Sequence, residues 1–132
     1  KKSKLYRSRS WPNENFPEFI NFVIFIETKL NLKKLFIKIK NVECQLGRIK
    51  SKRNFPRVCD IDIIDFNGQI IQKKIGSNKI KVPHERMHSR NFVLLPLFEI
   101  NKDWFHPKLC KNIVFLLSNL TSEQLLGIKI IQ

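Results

Sequence analysis

The sequence predicts an α+β fold. Two apolar stretches rich in β-branched residues, at 19–28 and 57–66, indicate strands, and Asn67-Gly68 after the second is typical of a type I′ hairpin turn. Between them, apolar residues repeat at helical spacing from 32 to 46. The 132 residues suffice for one domain with a modest core, and no linker or repeat divides them.

The clearest predicted helix begins at the N-cap Asn31 and ends before Gly47, a suitable C′ residue. Glu43 lies in its last turn, where a negative charge opposes the helix dipole. Two interpretations of Glu43 stay open: a pairing with Arg48, which we favour, or a side chain that faces the functional site.

Shorter elements are predicted on either side. The residues at 5–8 indicate the end of a strand, and 128–131 a final strand. The segment 92–100 predicts a core helix, kinked or broken at Pro96, and a second apolar helix is predicted around 112–117.

The stretch 57–66 carries the strongest functional signal. Residues two apart in a strand share a face, so Asp60 and Asp62 are predicted to point the same way, about 7 Å apart. Two such carboxylates repel each other, a conflict that a hard divalent cation such as Mg²⁺ resolves. The residues from 48 to 57 hold five cations and no acid. An acid pair beside a cationic loop predicts a site for a metal–polyphosphate.

The net charge of +14 indicates an anionic partner, and by itself leaves nucleic acid, anionic membranes and phosphate ligands open. Lys, Ile, Asn and Phe are abundant along the entire chain, as low-GC coding would produce. That bias is an equally good explanation of most of the excess charge.

Cysteine usage and hydropathy bear on location. Cys44, Cys59 and Cys110 are odd in number and match no zinc spacing, which predicts reduced thiols in a cytoplasmic protein. No apolar run is long enough to span a bilayer, and no signal peptide is visible. The chain opens without an initiator Met, and we expect a fragment.

His84 and His88 fall four residues apart in a predicted turn at 83–90. Zinc binding is disfavoured because no third ligand is well placed and the neighbouring residues are basic. Phosphate contact by His84 and Arg90 is the preferred interpretation, and a solvated basic turn is the alternative.

Three blocks occur in order: Pro56-Arg57-x-x-Asp60-Ile61-Asp62-Ile63, then Val82-Pro83-His84, then Arg90-Asn91-Phe92-Val93-Leu94-x-Pro96-Leu97-x-Glu99-Ile100. With Glu43 and Gly47-Arg48 upstream, this set resembles the 6-hydroxymethyl-7,8-dihydropterin pyrophosphokinase family of folate biosynthesis. The resemblance extends from about Tyr6 to Pro107.

The resemblance implies a ferredoxin-like antiparallel sheet with helices packed on it. It also implies transfer of a pyrophosphoryl group from ATP to 6-hydroxymethyl-7,8-dihydropterin, with release of AMP. The implied partners are ATP and the pterin, the implied cofactors are two Mg²⁺ ions, and a monomer with no nucleic-acid or membrane partner is expected. Phosphoryl transfer depends chiefly on positioning and charge neutralisation, which agrees with the residue chemistry.

The resemblance assigns site residues as well. It implies that Asp60 and Asp62 are the metal ligands and, with Arg48 and Arg57, the catalytic set. The residues implied to contact ATP are Arg48, Lys50, Arg53, Arg57, Ile63, His84 and Arg90. Those implied to bind the pterin are Phe19 and Phe92, which sandwich its ring, Asn21, which reads its edge, and Ser8.

This chain departs from the family pattern in three places. The loop between Arg48 and Arg57 is one residue shorter than in many members, and Glu85 stands where an aromatic is frequent. The family's first strand, with its Gly-Ser-Asn-Leu motif, and its first helix have no counterpart here. We therefore expect residues 1–132 to form one pyrophosphokinase domain that lacks these elements and is poorly stable or inactive alone, whereas its full-length parent is active.

Two other hypotheses stay open. The chain is a small basic RNA-binding α/β module, as its charge would suit, or it is a catalytically inactive fragment. RNA binding has no need of an acid pair within a basic surface, where the carboxylates repel phosphates.

Overall fold

The computed structural model describes residues 1–10, 15–47 and 57–131 of the chain. Helices and antiparallel strands are mixed along these ranges, as predicted. Among the described helices, none is long and apolar enough to cross a membrane. In chain order the elements are β1 (Tyr6–Ser8), β2 (Phe19–Asn21), α1 (Leu32–Gln45), β3 (Ile71–Ile75), β4 (Asn78–Val82), a 3₁₀ turn (Met87–Ser89), α2 (Asn91–Ile100), β5 (Phe105–His106), β6 (Lys111–Asn112), α3 (Ile113–Ser118), α4 (Ser122–Leu126) and β7 (Ile128–Ile130).

The described strands form three small antiparallel sheets. β1 lies between β2 and β7, so the early strands and the last one share a sheet. In this sheet Arg7 pairs with Ile20 on one side and with Lys129 on the other. β3 and β4 form a hairpin, and β5 pairs with β6. Tyr6 and Ser8 are buried and share one face of β1, which leaves Arg7 on the other, exposed face.

Two hydrophobic clusters hold these elements together. The first joins α2 to α3 through the fully buried Leu94 and Ile113. The second joins α1 to the β3–β4 hairpin through Leu32 and its neighbours. Ile63 packs against the second cluster and the next residue, Ile64, against the first. The segment that carries the acid pair is therefore anchored to both clusters.

The predicted helix at 31–46 is confirmed. The Asn31 side chain accepts a hydrogen bond from Lys34 N–H at 2.9 Å, which satisfies a backbone donor of the first turn. Gly47 follows the helix with a φ of +89°, a conformation that glycine adopts without the steric cost of a side chain. The predicted helices at 92–100 and 112–117 are confirmed too, and α2 continues through Pro96.

The prediction of a strand at 57–66 is wrong, since no strand forms in this segment. A strand needs a neighbour with which it exchanges backbone hydrogen bonds. Here the backbone bonds elsewhere: Ile61 N–H donates to the Glu43 side chain at 2.7 Å, and Ile64 C=O accepts from His84 N–H at 3.2 Å. The turn after the segment does form, with positive φ at Asn67 and Gly68, but the hairpin that follows is β3–β4.

Of the buried strand predicted at 19–28, only the first three residues form a strand, and Ile20 within it is exposed. β2 ends at Asn21, and several large apolar side chains after it are about half exposed, among them Phe22, Ile24 and Phe25. A continuous apolar run indicates a strand covered on both faces. In the described part of the chain, no second layer covers these side chains.

His106 makes the stability of the fold sensitive to acid. It is buried beside Trp104, and its Nδ1 accepts a hydrogen bond from Leu109 N–H at 3.2 Å. Burial lowers its pKa below the ordinary 6.5, and the nearby His88 lowers that pKa further. The unfolded chain therefore binds this proton more readily than the folded protein. The stabilisation is complete above about pH 6.5 and falls as the pH drops from there through the lowered pKa.

We expect the thermal midpoint, followed by circular dichroism, to fall between pH 7.5 and pH 5. The control is His106→Asn, which keeps an acceptor for Leu109 N–H and cannot titrate in this range. Its midpoint should depend less steeply on pH. Parallel curves for the two proteins would show that His106 does not cause the loss.

Candidate active site

The acid pair lies on an exposed ridge between the two clusters. The Asp60 and Asp62 side chains are each 49% exposed, whereas Ile61 and Ile63 are partly buried. The predicted alternation of faces is therefore present although no strand forms. Half-exposed carboxylates keep part of their hydration and remain accessible, which suits ligands of a hard cation that also binds phosphate oxygens.

Glu43 holds the backbone between the two acids. Its carboxylate is almost completely buried at the end of α1, and its Oε1 accepts the hydrogen bond from Ile61 N–H. Lys40 Nζ donates to Oε2 at 2.8 Å. One of the two interpretations of Glu43, a side chain that faces the functional site, agrees with the bond to Ile61 N–H. The other, a pairing with Arg48, lies outside the described residues.

His84 and Arg90 converge on Asp62. His84 Nε2 lies 3.6 Å from Asp62 Oδ2, and Arg90 Nη1 lies 3.9 Å from the same oxygen. His84 Nδ1 accepts a hydrogen bond from Arg86 N–H at 3.2 Å, so the neutral ring carries its hydrogen on Nε2, toward Asp62. Two basic side chains of the turn at 83–90 therefore face Asp62, whereas Arg86 and His88 within it are exposed.

Burial is the main cause of the pKa shifts here. It lowers the pKa of His84, and Asp62 raises that pKa by less. The ring is consequently neutral near neutral pH, and its approach to Asp62 is a polar contact rather than an ion pair. Burial also lowers the pKa of Arg90, which Asp62 partly opposes. An arginine titrates so far above neutral pH that the guanidinium stays charged, so a fixed cation and a neutral donor face one carboxylate.

Arg57 is the described member of the cationic loop. Its Nη1 lies 3.2 Å from Asp60 Oδ2, and both side chains are partly exposed. The other predicted phosphate ligands in this loop, Arg48, Lys50 and Arg53, lie outside the described residues. Together with Arg90, Arg57 places a cation beside each carboxylate of the pair.

The predicted pterin residues form two groups. On the sheet, Asn21 Nδ2 donates to Ser8 Oγ at 2.9 Å, and Phe19 is paired with Ser8 in register. On α2, the Phe92 ring lies beneath the Arg90 guanidinium, whose Cζ is 5.4 Å from the centroid of the ring. Arg90 therefore lies beside both Asp62 and an aromatic side chain predicted to bind the pterin.

Ile63, predicted to contact adenine, is partly buried against the Leu32 cluster, so its main packing partners are in the core. Among the described residues, no group of three or more His, Cys, Asp or Glu side chains is arranged to hold a metal ion. An ion at the acid pair would thus take most of its ligands from water and substrate.

Two features of this site have no clear sequence signal. The bond from Glu43 to Ile61 N–H joins residues eighteen apart, and Glu43 attracted notice only through its unfavourable place in the helix. Glu99, which accepts hydrogen bonds from Lys4 N–H and the Tyr6 hydroxyl, belongs to the third sequence block, and nothing in the sequence indicates these partners. Both carboxylates accept hydrogen bonds from backbone N–H groups that are distant in the sequence. The periodicity of apolar residues does not reveal such bonds.

Comparison with known proteins places the chain in a family. The family model described as 7,8-dihydro-6-hydroxymethylpterin-pyrophosphokinase (HPPK) matches residues 1–102. The pyrophosphokinase of Aquifex aeolicus, named for 2-amino-4-hydroxy-6-hydroxymethyldihydropteridine, is 38% identical over 105 residues, which are 80% of this chain and 63% of that protein. The Haemophilus influenzae protein of the same name is 35% identical over 105 residues, with the same coverage.

A third relative, the folic acid synthesis protein FOL1 of Dictyostelium discoideum, is 38% identical over 107 residues, which are 81% of this chain and 16% of that protein. The chain thus spans less than two thirds of the length of these relatives. The family match covers β1 to α2, which carry every described residue of the candidate site. The chain belongs to the 7,8-dihydro-6-hydroxymethylpterin-pyrophosphokinase family.

Proposed function

We propose that the protein transfers a pyrophosphoryl group from ATP to 6-hydroxymethyl-7,8-dihydropterin. The hydroxymethyl oxygen attacks the β-phosphorus, the bond from that phosphorus to the oxygen of the α-phosphate breaks, and AMP leaves as the hydroxyl proton is lost. The observation that carries the proposal is the convergence of His84 and Arg90 on Asp62, beside Asp60 and Arg57. Names of relatives in the same family agree with it.

In the nucleotide half, Asp60 and Asp62 would hold two Mg²⁺ ions, which when bound neutralise charge on the phosphates. The protein's own part is to position and balance charge. Arg57 and Arg90 offer guanidinium donors to phosphate oxygens, and neutral His84 offers its Nε2–H. Arg48, Lys50 and Arg53 are proposed as further phosphate ligands, and Ile63 as a contact near the adenine.

In the pterin half, Phe19 and Phe92 would stack on the two faces of the heterocycle. Asn21 donates to Ser8 through its Nδ2, which leaves its Oδ1 to accept from the amino edge of the ring. Arg90 lies between the halves because it touches Asp62 and covers Phe92. It would bring the hydroxymethyl group close to the phosphates.

For the domain as a whole, we propose a ferredoxin-like arrangement in which residues 1–132 are part of a single monomeric pyrophosphokinase domain. The exposed apolar side chains after β2 support a further layer on this side of the sheet. The family's first strand and helix are the proposed source of that layer. We expect residues 1–132 without these elements to have a low melting temperature and a low rate of AMP release.

The test is a coupled assay of AMP release from ATP and the pterin. It is run on the 132-residue chain and on the chain extended at its N-terminus by the family's first strand and helix. We expect Mg²⁺-dependent AMP release from the extended protein and a much lower rate from the shorter one. No AMP from the extended protein would refute the proposed activity. Equal rates and equal cooperative melting would refute the need for the added elements.

A further inference from the structure

The Glu99 carboxylate joins α2 to β1. Its Oε1 and Oε2 accept the backbone hydrogen of Lys4 at 3.2 and 3.1 Å, and Oε2 also accepts from the Tyr6 hydroxyl at 2.8 Å. A hydroxyl that donates to a carboxylate makes one of the stronger hydrogen bonds in proteins. The two elements are thus connected by a charged acceptor that takes both a backbone and a side-chain donor.

Tyr6 is suited to be a constant donor. Its side chain is buried at the start of β1. Burial raises the pKa of Tyr6 to about 12, and the hydrogen bond to Glu99 raises it as well. The hydroxyl therefore keeps its proton at every pH at which the protein would work, so the contact with Glu99 persists.

The directions of the two elements give this contact a role. On β1, Tyr6 and Ser8 lie two residues apart and share a face, about 7 Å from each other. On α2, Phe92 and Glu99 lie seven residues apart, which is close to two full turns and about 10 Å along the axis. They therefore also share a face. α2 packs against β1, and the Tyr6–Glu99 contact fixes one end of their junction.

The two elements that this contact joins each carry a residue of the proposed pterin site. Ser8, bonded to Asn21, continues β1 beyond Tyr6, and Phe92 begins α2 seven residues before Glu99. The distance between Ser8 and Phe92 depends on how β1 and α2 are held together. Loss of the Tyr6–Glu99 contact would change the spacing of Ser8 and Phe92 and would leave Asp60 and Asp62 in place.

We propose that Glu99, through Tyr6 and Lys4 N–H, is a positioning residue that sets the spacing of the pterin-binding half of the site. The inference rests on the proposed function, since it assumes that the pterin binds between Phe19 and Phe92. It assigns Glu99 no contact with substrate. The consequence is selective: pterin affinity depends on the contact and nucleotide affinity does not.

The test is Tyr6→Phe, which removes the hydroxyl and keeps the buried ring. We expect the KM for the pterin, and the Kd of the pterin measured by its fluorescence, to rise about tenfold or more, as for loss of one hydrogen bond to a charged group. The KM for ATP should stay within about twofold. Glu99→Gln, which keeps one acceptor oxygen, should give a smaller rise. The control is Glu123→Gln, an exposed carboxylate in the first turn of α4.

A double-mutant cycle with Glu99→Ala identifies the pair, because Tyr6→Phe should add little once Glu99 is gone. Equal changes in the pterin and ATP constants, or a lower melting point with unchanged constants, would mean a purely structural tie and would overturn the inference. So would a wild-type protein that does not bind the pterin. Wild-type pterin binding without AMP release would refute the proposed activity alone, and the fluorescence arm would still decide the role of Glu99.

Discussion

Asp62→Ala should lower the rate of AMP release by about a thousandfold or more, and Asp60→Ala by a similar factor. Each carboxylate is a proposed ligand of the ions that neutralise the phosphates, and metal ions contribute several kcal/mol of transition-state stabilisation in such reactions. The Asp62 oxygen that His84 and Arg90 approach is also lost. Magnesium-dependent ATP binding, measured by calorimetry, should be lost in parallel.

The fold should tolerate these changes. Both side chains are half exposed, and their partners Arg57 and Arg90 are partly exposed, so each lost contact costs about 1 kcal/mol or less. Asp103→Ala, an exposed acid in the turn before β5, is the matched control for net charge. It should retain full activity.

The same variants separate the enzyme from an RNA-binding module. Removal of a carboxylate from a basic surface should strengthen binding to RNA, with a steep dependence on salt. If Asp60→Ala and Asp62→Ala bind RNA more tightly and the N-terminally extended protein has no AMP-releasing activity, the basic-module hypothesis replaces the enzyme.

Local structure followed closely from the sequence. Asn31, the apolar spacing of α1 and Gly47 predicted that helix correctly because each acts through its immediate neighbours. Asn67-Gly68 formed the predicted turn for the same reason. The alternation of exposure around Asp60 and Asp62 also followed from the pattern, since it needs only an extended backbone with one apolar side.

The two strand predictions that were wrong depended on pairing with residues that are distant in the sequence. The segments 57–66 and 19–28 have the composition of strands, but a strand exists only where a neighbour completes the hydrogen-bond ladder. Within the described ranges, 57–66 is held instead by Glu43 and by the turn at His84. The prediction that His84, Arg90 and Phe92 surround the acid pair came from the family resemblance and not from periodicity. In the structure, His84 and Arg90 approach Asp62, and Arg90 lies over the Phe92 ring.

Glu43→Ala should destabilise the protein by about 3 kcal/mol. The buried carboxylate accepts from Ile61 N–H and Lys40 Nζ, and removal of one member of a buried polar pair leaves the other without compensation. For a domain of this size the thermal midpoint should fall by roughly 10 °C. Glu27→Ala, which removes an exposed carboxylate, is the control and should change the midpoint little.

Glu43→Ala should also weaken nucleotide binding. Ile61 lies between Asp60 and Asp62, so the hydrogen bond to Glu43 fixes the peptide that carries both proposed metal ligands. At a temperature where Glu43→Ala is still folded, its magnesium-dependent ATP affinity should be at least about tenfold weaker than that of the wild type, as for a lost hydrogen bond to a charged group. Unchanged affinity in the folded variant would show that Glu43 supports the helix and not the site.

Glu43→Gln distinguishes the acceptor from the charge. The amide oxygen can still accept from Ile61 N–H, whereas Lys40 loses its charged partner. If geometry is what Glu43 supplies, this variant should keep most of the ATP affinity while it loses part of the stability. If its negative charge matters to the ions instead, affinity should fall as far as in Glu43→Ala. The first outcome is expected, because α1 carries this carboxylate at its unfavourable C-terminal end and directs it to a backbone donor.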